Sequence, residues 1–255
     1  MKSQLAVPIL CLFTPFVLVN VASAQEQVPQ PTPVVEVYGC TFNGTNDMAD
    51  LLAVTSRWNA WADRNNITDY TAFIMTPYLH SDQLTYDVLW LGAWPNGTAM
   101  GAGEAVWFAE GGDLQEEFNA VIDCSTHTQY AEFVIGAPEG PTPEAPMAAF
   151  SDCTVREGRT ADEAITALAQ WREYLVANGV NEFNAVFFPV AGEEPDADYD
   201  FKTVEGYETI QSYGRALDVI TRGGYQRADE LFGRLLDCNS PRVYAFDLVR
   251  RAADE

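Results

Sequence analysis

The chain repeats itself, and a repeat of this kind leaves few folds open. Displaced by 113 positions, Cys40-Thr41 falls on Cys153-Thr154, Trp58 on Trp171, Asn65 on Asn178, Ala72 on Ala185 and Tyr86-Asp87 on Tyr199-Asp200, all without a gap. One inserted residue later, at a displacement of 114, Phe118 falls on Phe232, Asp123-Cys124 on Asp237-Cys238 and Tyr130-Ala131 on Tyr244-Ala245. The expected organisation is a duplicated unit at 34–135 and 147–251, joined by a Pro-rich linker at 136–146 that should be extended and stiff. A loose tail is expected at 25–33.

Each unit reads in the same order. A short strand (34–42; 148–155) precedes a helix. In the second unit Thr160-Ala-Asp-Glu163 has the pattern of a capping box, and Ile165, Leu168, Ala169, Trp171 and Leu175 keep helical spacing up to Asn178-Gly179. The first unit matches over 47–65 with Leu51, Leu52, Trp58 and Trp61. Segments rich in β-branched and aromatic residues follow (70–79 and 85–91; 183–191 and 199–204). A helical stretch interrupted by Gly-Gly then leads to Cys124 or Cys238, and a last strand closes the unit (127–135; 242–249).

The order β-α-β-β-α-β is that of the ferredoxin-like split βαβ motif. Such a unit covers one sheet face with helices and leaves the other bare, so two units can bury their bare faces together. In this the chain resembles the dimeric α+β-barrel superfamily, which includes the antibiotic-biosynthesis monooxygenases and the stress-responsive barrel proteins. The resemblance implies an α+β fold in which two repeats form a pseudo-dimeric barrel inside one chain, a monomer with an internal pseudo-twofold axis. It rests on element order and duplication, and it transfers no catalytic residue.

Residues 1–24 read as a secretory signal peptide: Met1-Lys2, an apolar run from Leu5 to Val21, then Ala22-Ser23-Ala24. The expected location is periplasmic or secreted, with no membrane insertion after cleavage. Export makes disulfides the natural state of Cys40, Cys124, Cys153 and Cys238. In the split βαβ fold the last strand runs antiparallel beside the first, which favours the pairs 40–124 and 153–238. A net charge of −23 argues against nucleic acid as a partner. No metal-ligand spacing, phosphate loop or hydrolase elbow occurs, so no metal or cofactor is expected.

Strand alternation suggests where a small molecule would sit. On the strand at 70–79, Phe73, Met75 and Leu79 form an apolar set suited to lie under helices. The opposite set, with Tyr70, Ala72, Ile74, Thr76, Tyr78 and His80, would then line the barrel, joined by Tyr86, Val88 and Trp90. The second unit offers Phe183, Phe187, Tyr199 and Phe201, a more apolar lining, so a site is expected in the first. The Gly-rich segment 90–103 reads as a connection with a turn at Asn96-Gly97, either closing a cavity mouth or capping the core with Trp90 and Trp94. The candidate ligand-binding residues are Tyr78, His80, Tyr86, Trp90 and Trp94. Three functions fit: an exported binder of a small, partly apolar molecule; a cofactor-independent oxygenase or haem-handling enzyme, as the resemblance implies; or a structural module of the cell envelope.

Overall fold

The computed structural model describes residues 32–143, 146–194 and 197–253. The expected signal peptide, most of the tail and two residues of the linker lie outside these. The first half comprises β1 (Val34–Phe42), α1 (Met48–Arg64), β2 (Thr71–Leu79), β3 (Val88–Trp94), α2 (Gly97–Glu110), α3 (Gly112–Val121) and β4 (Ile122–Gly136). The second comprises β5 (Met147–Val155), α4 (Ala161–Ala177), β6 (Phe183–Ala191), β7 (Phe201–Tyr207), α5 (Ile210–Val219), α6 (Tyr225–Phe232), β8 (Leu236–Cys238) and β9 (Arg242–Arg250). The fold class is therefore α+β.

Local signals set the helix starts. Thr160 Oγ1 accepts from Glu163 N at 3.2 Å and the Glu163 carboxylate accepts from Thr160 N at 3.0 Å, a reciprocal capping box. Asp47 and Asp50 form the same box at the start of α1. The segment 90–103 departs from the expected loop. Asn96 is the N-cap of α2, accepting from Thr98 N and Ala99 N at 3.0 and 2.9 Å. The run of Ala, Met and Val among its glycines carries enough helix propensity to continue the helix.

Within the first half β1 pairs with β3 and β4, and β3 with β2; within the second β5 pairs with β7, β8 and β9, and β7 with β6. The halves join through two further antiparallel pairs, β2 with β9 and β4 with β6. The result is a closed ring, β1-β3-β2-β9-β5-β7-β6-β4, with β8 as an added short strand. Closure removes exposed strand edges. Equivalent positions make equivalent bonds. Asp87 N donates to Cys40 O and Asp200 N to Cys153 O, both at 2.9 Å. Cys40 is bonded to Cys124 and Cys153 to Cys238, each pair directly opposite across its ladder.

The ring is filled by both halves. Val35, Phe73, Met75, Phe150, Phe187 and Phe246 pack together inside it, with Phe73 and Phe246 edge to face at 5.4 Å. This reverses the expected facing of β2. Phe73 and Met75 point into the barrel, whereas Ala72 and Ile74, both fully buried, lie beneath the helices. Val88 and Trp90 are also on the helix side, while Tyr86, ahead of β3, packs against the barrel cluster. In the second half Phe183 and Phe187 face the barrel and Phe201 does not. The reason is that the sheet is covered on both faces, so apolar residues occupy both parities and alternation no longer labels the solvent side.

Candidate ligand pocket

On β1, Val35 and Val37 belong to the barrel side, and Glu36, Tyr38 and Cys40 to the helix side. There, between the sheet and the helices α1 to α3, lies a cavity of about 340 Å³. Five of the six tryptophans line it: Trp58, Trp61, Trp90, Trp94 and Trp107. Trp58 and Trp90 meet edge to face at 5.1 Å and 89°, Trp61 and Trp107 at 5.2 Å and 83°. Such pairs contribute about 0.5–1.5 kcal/mol each beyond the area they bury.

Glu36, 2% exposed, sits in the wall of this cavity. Burying a carboxylate is costly unless its oxygens are bonded, and here both are. Oε1 accepts from Tyr70 Oη at 2.8 Å and Trp94 Nε1 at 3.4 Å. Oε2 accepts from Tyr38 Oη at 3.3 Å and lies 3.3 Å from His127 Nε2. Trp90 Nε1 donates to Tyr70 Oη at 2.9 Å, extending the network. The His127 ring stacks on Tyr38 at 3.8 Å. Burial, then the Glu36 charge, holds the Tyr38 and Tyr70 hydroxyls well above the ordinary phenol range, so both remain donors. Glu104 on α2 faces the same cavity. Its carboxyl is raised by burial and then by Glu36, with His127 acting the other way.

Tyr70 reaches Glu36 only because Gly92 lies opposite Glu36 on β3. A Cβ on Gly92 would stand 1.7 Å from Tyr70 Oη. Gly92→Ala is therefore expected to cost about 1–3 kcal/mol by overpacking, and to shift tryptophan emission as Tyr70 releases Trp90 and Glu36. Thermal denaturation followed by fluorescence checks both; an unchanged midpoint would refute this account of Gly92. The second half reverses the arrangement. Ala149 stands where Glu36 would, and its ladder partner Glu205 carries a partly buried carboxylate instead, accepting from Tyr207 Oη at 2.8 Å. Tyr38, Tyr70, Trp90 and His127 correspond there to Ser151, Phe183, Thr203 and Pro241, so this network belongs to the first half alone.

Of the residues singled out from the sequence, Trp90 and Trp94 line this pocket. Tyr86 lines a second cavity, of about 510 Å³, at one end of the barrel. There Tyr86 Oη and Tyr244 Oη are 3.0 Å apart, and Asp152 holds Lys202 at 2.6 Å and Arg242 at 2.8 Å. Against burial, these two cations bring the Asp152 carboxyl down to about 2. Tyr78 and His80 lie beyond the covered part of β2, are exposed and line neither cavity. Sequence reasoning passed over Glu36 and Tyr38, and it left His127 and Glu104 out of the candidate set: His127 because Pro241 stands in its place in the second half, Glu104 because its match with Asp218 reads as a shared helix face. One signal was present: Glu36 is an acidic residue in the middle of the apolar strand Val-Val-Glu-Val-Tyr, where a charge has to be bonded to persist.

Comparison with solved structures places this architecture. A proposed monooxygenase of Fusobacterium nucleatum superposes with a TM-score of 0.58 at 7% identity, covering 86% of this chain and 94% of that one. A haem-binding protein of Thermus thermophilus does so with a TM-score of 0.51 at 11% identity, covering 86% and 92%. The chlorite dismutase of Candidatus Nitrospira defluvii gives 0.51 at 7%, again covering 86% and 92%. The chain is thus similar in fold to α+β-barrel proteins of this kind, at identities that speak for the fold alone. No protein-family model and no curated protein sequence matches it.

Proposed function

We propose that this is an exported binding protein that holds a small, partly apolar molecule between the helices and sheet of its first half. The observation that carries this reading is the tryptophan-walled cavity around Glu36: rich in aromatic rings, with convergent polar groups, as small-molecule sites are. Two disulfides are compatible with export to the periplasm or beyond, and no helix among the described residues is long and apolar enough to cross a membrane. The duplicated units and a pseudo-twofold monomer belong to the same proposal. Tyr78 and His80 have no place in it; Trp90 and Trp94 do, and Tyr86 does only for a ligand at the barrel mouth. A thermal-shift and native-mass screen of aromatic and alicyclic compounds tests it. A binder should raise the unfolding midpoint and quench tryptophan emission, since five tryptophans line the cavity. A screen that yields neither effect overturns it.

A second reading, a cofactor-independent oxygenase, draws on Glu36 and His127, a carboxylate–imidazole pair at the cavity wall suited to accept a proton from a phenolic substrate. Quinol oxidation abolished by His127→Ala would support it; an inactive wild type would remove it. The residues present do not fit haem in this pocket. His127 Nε2 is engaged with Glu36, and Glu36 and Glu104 would repel the propionates. The cations of the barrel-mouth cavity, Lys202 and Arg242, are already paired with Asp152.

A further inference from the structure

The charge of the pocket narrows what it can hold. We propose that the first-half pocket takes an organic cation, a quaternary or otherwise fully alkylated ammonium compound; this rests on the reading of the pocket as a ligand site. Its walls carry five tryptophan rings, two pairs of them meeting at right angles, and the quadrupole of such rings attracts positive charge. Among the described residues that line it there are three acidic side chains, Glu36, Glu104 and Asp123, and no lysine or arginine. Arg250, 5.7 Å over the Trp58 ring, is not a lining residue and is paired with Asp63 at 3.0 Å.

The hydrogen bonding of Glu36 separates an alkylated ammonium from a primary amine. A carboxylate offers about four acceptor positions, and those of Glu36 are met by Tyr38, Tyr70, Trp94 and His127. Glu36 therefore supplies negative field and no acceptor for an incoming N–H. Against Glu36, the buried carboxylate of the pocket, a primary ammonium would give up its water without replacing those bonds. A trimethylammonium group has none to replace and spreads its charge over C–H surface that fits aromatic faces. The net charge of −23 favours the approach of any cation.

Titration of the intact, disulfide-bonded chain, by calorimetry and tryptophan fluorescence at pH 8, compares choline with its neutral carbon isostere 3,3-dimethylbutan-1-ol, the anionic 3,3-dimethylbutanoate and ethanolamine. Choline is expected to bind at least about tenfold more tightly than the alcohol and ethanolamine, and the anion not to bind. Glu104→Gln removes the charge of a partly buried lining residue of α2 and keeps its size. It should weaken choline about threefold and leave the alcohol unchanged. An alcohol that binds as well as choline overturns the cation while leaving the ligand site standing, and ethanolamine equal to choline overturns the preference for alkylation. Failure of all four probes also overturns the cation, and the ligand site falls with it only if the wider screen of uncharged compounds is empty too.

Discussion

Replacing Cys40 and Cys124 together by alanine is expected to lower unfolding stability by about 4–5 kcal/mol, the chain-entropy value for a closed loop spanning 84 residues. The size of the loop follows from topology. The bond ties the first strand of the half to its last, and both α1 and the β2–β3 hairpin lie between them. In the unfolded chain that link removes much freedom; in the folded one Cys40 and Cys124 already stand opposite each other, with Cα atoms 3.9 Å apart. β4 is also the strand that joins β6 of the other half, so loosening it weakens the seam of the barrel. The unfolding midpoint should fall by about 10 °C or more for a chain of this length. Both cysteines line the tryptophan pocket, so ligand binding should weaken as well. Urea denaturation of the double variant, with Cys153–Cys238 intact, gives the answer; a loss below about 1 kcal/mol would mean that the ladder holds its register without the bond.

The second large effect is a dependence of stability on pH that comes from Glu182. This residue immediately precedes β6, is 3% exposed, and neither carboxyl oxygen has a hydrogen-bond partner among the described residues. Burial, and then the charge of Glu205, push its carboxyl up to about 9, with Arg215 acting the other way. Glu205, bonded to Tyr207, is itself raised by burial. In the unfolded chain Glu182 returns to its ordinary value of 4.5. Between these values the native state keeps a proton that the unfolded state has lost. Stability is then greatest below the unfolded value and declines as pH rises towards 9, by about 1.4 kcal/mol per pH unit for one proton. Glu182→Gln removes the proton from the balance. It should flatten the profile and raise stability at pH 7 by on the order of 3–4 kcal/mol. Urea midpoints of both proteins at pH 5, 7 and 9 check this; parallel profiles would overturn it.

Much of the architecture was legible in the linear chain, for reasons tied to particular residues. The cysteines and Trp58/Trp171 recur in register and stand at the same places in the element order of the two halves, and Asp47 and Thr160 mark helix starts because unpaired N–H groups need an acceptor there. The disulfide pairs followed from the repeat and agreed with the strand order. The segment 90–103 was misread because its glycines resemble a loop until Asn96 is recognised as a cap.

The pocket was not legible in the same way. Deciding which face of β2 meets the barrel requires knowing that helices cover the other face, and a strand buried on both sides carries no polar alternation to say so. Sequence therefore determined the order of the elements and their covalent ties, both set by local pattern and chain connectivity. Only the tertiary structure decided that Glu36, Tyr38, Tyr70, Trp94 and His127 meet. They come from β1, β3 and β4 and from the residue that leads into β2, and hydrogen bonds that pay for burying one carboxylate exist only once the sheet and helices have closed around it.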